Sequence, residues 1–173
     1  WVIDTLDGTK EFIQGNGEFT VNVALIHNGS PVMGVVYVPV KKILYYGDQM
    51  NGSFKQIKGG EPEKLIPKEN KSGKLRVVAS KHHFTDETRE FIEKLKKENS
   101  DIELVSIGSS LKICLVAEGR ADIYPRLGPC MEWDTAAAHA IAKFSGKNIY
   151  EFNSERELKY NKEDLLNPWF IVK

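Results

Sequence analysis

An alternation with a period of two runs through the first third of the chain. In "GEFTVNVALIHNG", Phe19, Val21, Val23 and Leu25 share one face and Thr20, Asn22 and Ala24 the other, the pattern of a half-buried strand. "WVID" precedes it, and "VMGVVYVPV", "KKILYYGD" and "GSFKQI" continue the pattern between turns such as "HNGSP". Residues 1–58 therefore read as an antiparallel meander. It is interrupted by "DGTKEFIQGN", a helical turn that Gly15 and Gly17 end. Residues 59–74 are rich in Gly, Pro and charge and read as a linker or an edge excursion. Beyond them the period changes. "LRVVAS" is a strand, and "TDETREFIEKLKKENS" a helix with Thr85 as its N-cap and Phe91, Ile92 and Leu95 on one face. "IELVSIG" is a strand, "SSLKICLVAEG" a helix capped by serine and stopped by Gly119, and "ADIYPR" a strand. "EWDTAAAHAIAKFSG" is a helix whose apolar stripe is Trp133, Ala137, Ala140, Ile141 and Phe144, with Gly146 at its stop. "NIYEF" and "WFIVK" close the chain as strands. The expectation is an α/β fold in two parts, an α+β remainder over 1–72 and an α/β domain over 73–173.

A chain of 173 residues, 41% hydrophobic and 28% charged, is long enough to bury a sizeable core. Lys plus Arg and Asp plus Glu number 24 each, so the net charge is zero. That balance exerts no global pull toward nucleic acid or an anionic membrane, and any charged site has to be local. The longest apolar runs are too short to span a bilayer, and no secretory leader is expected. Cys114 and Cys130 lack metal-site spacing and read as two buried free thiols in a reducing compartment.

Three stretches carry candidate chemistry. In "WVIDTLDGTKEF", Asp4 and Asp7 leave an apolar strand three residues apart. Unpaired carboxylates are costly inside a core, whereas paired acids at a strand end suit a hard cation such as Mg²⁺. The Gly8–Thr9 turn then opens a short helix whose first amides suit an anion such as phosphate. A plain Asx-turn with Asp7 capping that helix fits the same spacing. In "EWDTAAAHAI", Asp134 stands at a helix N-terminus, as a simple cap or as a third metal ligand beside Asp4 and Asp7. In "SIGSSLKICLVAEGRADIYPR", a Gly-Ser-Ser turn, Lys112 and Arg126 offer a second phosphate site remote from the metals, or a capped helix with solvated cations. His82 and His83 end a strand where a solvated pair is the ordinary reading, and His27 and His139 receive no role.

Taken in order, these stretches resemble a known family. "WVIDTLDGTKEF" is similar to the W-x-x-D-P-[IL]-D-G-T-x-x-F motif of the inositol monophosphatase superfamily, and "EWDTAAAHAI" to its W-D-x-A-A-G motif. "NGEFTVNVALI", "GVVYVPV", "SIGSSLKICLVAEG" and "ADIYPRLGP" look like the branch of 3'(2'),5'-bisphosphate nucleotidases. The resemblance implies a layered α/β/α/β/α sandwich of the inositol monophosphatase and fructose-1,6-bisphosphatase type, with its N-terminal part missing. It implies Mg²⁺-dependent phosphomonoester hydrolysis with two or three ions, inhibition by lithium, and a small nucleotide bisphosphate as substrate. By position, Asp4, the Leu6 carbonyl, Asp7 and Asp134 correspond to metal ligands, and Gly8 and Thr9 to the binders of the scissile phosphate. Asp4, Asp7 and Thr9 carry the catalysis in that alignment. His83, Ser109, Lys112, Arg126 and Asp134 correspond to substrate contacts.

Two positions depart from the motifs: Thr5 replaces a proline and Ala138 a glycine that would ease close helix–sheet packing. In the family a glutamate ligand and water-activating groups lie upstream of the first motif, and Trp1 begins almost on top of it. A piece of a longer protein is therefore expected, with reduced or no activity by itself. The expected function is removal of the 3'-phosphate of adenosine 3',5'-bisphosphate in the cytoplasm, recycling a nucleotide by-product of sulfate assimilation. Peripheral attachment to the inner membrane face is a variant of that location. The alternatives are an inositol or sugar monophosphatase, or a non-catalytic nucleotide- or metal-binding fragment. Both a monomer and a homodimer fit.

Overall fold

The computed structural model describes residues 1–67, 70, 73–80, 85–99 and 101–173. Six strands form one antiparallel sheet in chain order: β1 (Val2–Asp7), β2 (Thr20–His27), β3 (Ser30–Val38), β4 (Ile43–Asp48), β5 (Gly52–Ile57) and β6 (Glu63–Lys64). The predicted meander is thus present. The Gly/Pro-rich stretch is the edge excursion, since β6 extends the sheet and Leu65 behind it is buried. A short helix, α1 (Thr9–Ile13), interrupts the meander between β1 and β2 and gives way to Gly15 and Gly17, both at positive φ.

The second half alternates as its pattern predicts. β7 (Leu75–Ser80) and β8 (Ile102–Ile107) run parallel, linked through α2 (Asp86–Glu98), with Thr85 accepting the Thr88 amide as N-cap. The helix α3 (Leu111–Ala117) is followed by β9 (Tyr124–Arg126), α4 (Glu132–Ser145), β10 (Ile149–Glu151) and β11 (Phe170–Val172). Strands β10, β11 and β9 form an antiparallel sheet, which a parallel bridge between Val77 and Ile123 joins to β7. Alternate residues of β7 face opposite ways: Val78 enters the main core with α3, while Val77 and Ala79 pack with Ile92 of α2. The order sheet, α3 with α4, sheet, α2 gives four consecutive layers of the expected sandwich.

α4 is the central element, and one expectation about it changes. Trp133, assigned to its apolar stripe, is 37% exposed, while all of residues 136–142 are buried. A helix clamped between two sheets is covered on both sides, so no single stripe describes it. The sheet also comes very close to this helix, at Gly34. A Cβ on Gly34 of β3 would stand 2.2 Å from the Ala137 carbonyl oxygen.

β2 also faces the other way from the usual rule. Its buried side is Thr20, Asn22 and Ala24, while Val21, Val23 and Leu25 are half-buried on the opposite face. The polar side is turned inward because it meets the site described next.

Candidate active site

In a regular strand, residues three apart point to opposite faces. Asp4 pairs with Asn22 and Asp7 with Thr20, so β1 spends three residues where β2 spends two. That one-residue bulge turns both acids to the same side. Asp4 Oδ1 accepts the Leu6 amide at 3.0 Å within the bulge, so the Asx-turn belongs to Asp4 and not to Asp7. Nor does Asp7 cap α1, whose N-cap is Gly8 at φ +88° with no side-chain bond.

Asp7 is held from across the fold instead. Its Oδ2 accepts the Ser110 amide at 2.6 Å, the Thr20 hydroxyl at 3.3 Å and the Asn22 amide at 3.4 Å. Ser110 Oγ donates to Asn22 Oδ1 at 3.0 Å, so the serine expected to cap α3 is drawn into this network and makes no cap. The start of α3 does bind an anion, and the anion is the Asp7 carboxylate.

Asp134 stands at the third position of α4, where its Oδ2 accepts the Met131 amide at 2.9 Å and the Cys130 thiol at 3.4 Å. Capping and site geometry coexist, because only one oxygen is spent on the cap. Among the described residues, the hydrogen bonds to Asp7 and Asp134 fall on Oδ2 and the one to Asp4 on Oδ1, leaving an oxygen of each unused. One carboxylate oxygen from each of the three lies within 4.8 Å of the others. Burial and the neighbouring Asp134 charge push Asp4 up, and burial, offset in part by Lys112, pushes Asp7 up to about 6. Three converging carboxylates with these repulsions fit a hard divalent cation.

Beside the acids lies a cavity of about 270 Å³, walled by Asp7, Gly8, Ser109, Lys112, Arg126 and Asp134 among others. Thr9 is exposed at its rim. Lys112, read from sequence as solvated or phosphate-binding, is only 7% exposed. Its Nζ donates to the Ser109 carbonyl at 2.6 Å and sits 5.7 Å from the Tyr124 ring centroid. Burial lowers its hold on the proton and the Asp7 charge strengthens it, so Lys112 is not remote from the acidic cluster. Arg126 donates through Nη2 to the Pro129 carbonyl, while its buried Nε has no partner among the described residues. His83 lies outside the described residues.

Sequence reasoning missed Glu11, Glu18, Thr20 and Asn22 as site-builders, and read Ser110 as part of a phosphate-binding turn rather than as the donor to Asp7. A polar stripe at period two in β2 was the available signal for Thr20 and Asn22. Nothing local marked Glu11, which reads as a surface acid in a helical turn.

Residues 1–169 match the Inositol monophosphatase family. The chain is 47% identical over 173 residues to the 3'(2'),5'-bisphosphate nucleotidase CysQ of Salmonella typhimurium, and 44% identical over 176 residues to that of Escherichia coli K12. Each match covers 99% of this chain and 67% of the relative. The crystal structure of CysQ from Bacteroides thetaiotaomicron superimposes with a TM-score of 0.93 at 53% identity, over 99% of this chain and 68% of that one. A staphylococcal inositol monophosphatase bound to inositol monophosphate shares the fold, with a TM-score of 0.79 at 20% identity and 64% of its chain covered.

Proposed function

This chain belongs to the inositol monophosphatase family, and from that premise we propose that it is a metal-dependent 3'(2'),5'-bisphosphate nucleotidase, releasing phosphate from adenosine 3',5'-bisphosphate and leaving AMP. The observation that carries the reading is one cavity with Asp7 and Asp134 on its wall and Lys112 and Arg126 beside them. A monophosphate needs one anion site next to the metals, whereas a bisphosphate needs a second cationic site within reach. The identity to nucleotidase relatives supports the same choice.

In this reading Asp4, Asp7, Asp134 and the Leu6 carbonyl would hold Mg²⁺, two or three ions. A cation held there would supply charge neutralisation at a phosphoryl oxygen and a lowered pKa for a water. The Gly8 and Thr9 amides orient the scissile phosphate, and the Thr9 hydroxyl holds the attacking water. Ser109, Lys112 and Arg126 take the phosphate that is kept, with Arg126 suited to two oxygens at once. His83 is proposed as a further nucleotide contact. The Asp7 carboxylate stays aimed because three donors grip its other oxygen. No helix of the described residues is long and apolar enough to cross a membrane. A cytoplasmic site of action is part of the proposal.

Phosphate release from adenosine 3',5'-bisphosphate, with and without Mg²⁺, tests the reading. Release is expected only with the metal, and Asp7→Asn is expected to lower it at least about 100-fold. A protein that turns over inositol monophosphate and leaves the bisphosphate untouched would overturn the substrate assignment.

A further inference from the structure

The segment after β1 contains two glutamates to which the proposed reaction gives no part. Glu11, in the first turn of α1, is only 6% exposed, although an acid in a short surface helix ordinarily faces water. Its side chain fills the space between two glycine turns. A Cβ on Gly108 would lie 2.4 Å from Glu11 Cγ and 2.5 Å from Oε1, and one on Gly8 would lie 3.1 Å from Oε2. Glycine at 108 is what gives the carboxyl its room. Glu18 holds the same turn: its carboxylate accepts the Gly108 amide at 2.9 Å, and its backbone carbonyl accepts the Ser109 hydroxyl at 2.6 Å. Between them Ser109 is kept at φ +51°, a left-handed conformation that costs a serine free energy. The Ser109 carbonyl in turn accepts Lys112 Nζ at 2.6 Å. The place of the ammonium therefore follows from a turn that two acids hold in a strained form.

We propose that Glu11 is a positioning residue for the phosphate that is not cleaved: wedged between Gly8 and Gly108, it fixes the Gly108–Ser109 turn and through it the Lys112 ammonium. The proposal rests on the nucleotidase reading above. It also has an opposite. A carboxylate that merely lined an anion pocket would repel the substrate, and its removal would tighten binding instead of weakening it.

Calorimetric binding of AMP reads this subsite without turnover. Glu11→Ala is expected to raise the Kd for AMP about tenfold and leave that for adenosine unchanged. In turnover it is expected to raise KM for the bisphosphate without a matching fall in kcat. Gly108→Ala, which evicts the carboxyl, is expected to do the same, and the double variant to be no worse than the worse single one, because both act on one turn. Should Glu11→Ala fail to fold, Glu11→Asp keeps the charge, withdraws the wedge by one methylene, and is expected to weaken AMP about threefold. Unchanged or tighter AMP binding in these variants, or equal weakening toward AMP and adenosine, overturns the proposal. A wild-type chain that binds neither AMP nor the bisphosphate overturns the nucleotidase reading, and this inference with it.

Discussion

His139 shows what a single buried group does to pH dependence. It has no exposure inside α4, with Nδ1 2.8 Å from the Tyr160 hydroxyl and Nε2 2.6 Å from Asn148 Oδ1. Burial outweighs the pull of Glu157 and lowers its pKa from 6.5 to about 4. The folded chain therefore binds fewer protons than the unfolded chain between those values. Its stabilising contribution is complete above about 6.5 and is lost as the pH falls toward about 4, a change on the order of 3 kcal/mol. Urea unfolding at a series of pH values between these limits is expected to show that decline, and His139→Gln to flatten it. An unchanged slope in the variant would assign the decline to other groups. Glu11 makes the same point for the site, since its importance follows from burial and not from its residue type.

At the scale of the element, α4 is the ruler that sets where Asp134 stands. Its start is braced by Glu132, 2% exposed, whose carboxylate accepts the Asn161 amide at 2.6 Å and pairs with the Lys162 ammonium. Its middle rests on β3, where Gly34 admits the Ala137 carbonyl and the Ala140 methyl. A methyl at Gly34 has backbone on the far side and no flexible end to displace. Gly34→Ala is expected to destabilise the fold by about 2–3 kcal/mol, in the range of overpacked cores. Because the helix must lift, metal affinity is expected to fall as well. Thermal unfolding with a Mg²⁺ titration checks both, and a variant of wild-type stability would refute the packing argument. The bulge in β1 works at the same scale: one extra residue converts two acids on opposite faces into a pair on one face.

For the whole molecule, the three acids join parts distant in the chain. Asp4 lies within and Asp7 ends a strand of the first sheet, and Asp134 opens a helix of the second half. A divalent cation held by all three crosslinks the folded state and relieves its charge repulsion, and the unfolded chain offers no such site. Mg²⁺ at about 100 times its Kd is expected to stabilise by about 2.7 kcal/mol, raising Tm by about 5–10 °C. Asp134→Asn is expected to abolish most of that rise, measured by thermal unfolding with and without the metal. An equal rise in the variant would place the cation elsewhere.

Much of this was legible along the chain. Period-two alternation and the turns between strands predicted the meander, and the return of helical spacing after residue 74 predicted the second half. Asp4, Asp7 and Asp134 stood out as candidates because acids at strand ends and helix starts need an explanation. These are local properties, set by side-chain spacing and by the few residues that turns and caps accept. What only the tertiary structure decided concerns contacts between distant residues. It turned the polar face of β2 inward, buried α4 on both sides, gave the α3 amide to Asp7 and wedged Glu11 against Gly108. Each of these exchanges a local preference for a partner across the fold. The exchange is favourable because a buried polar group costs little once a partner meets it, and only the folded chain supplies that partner.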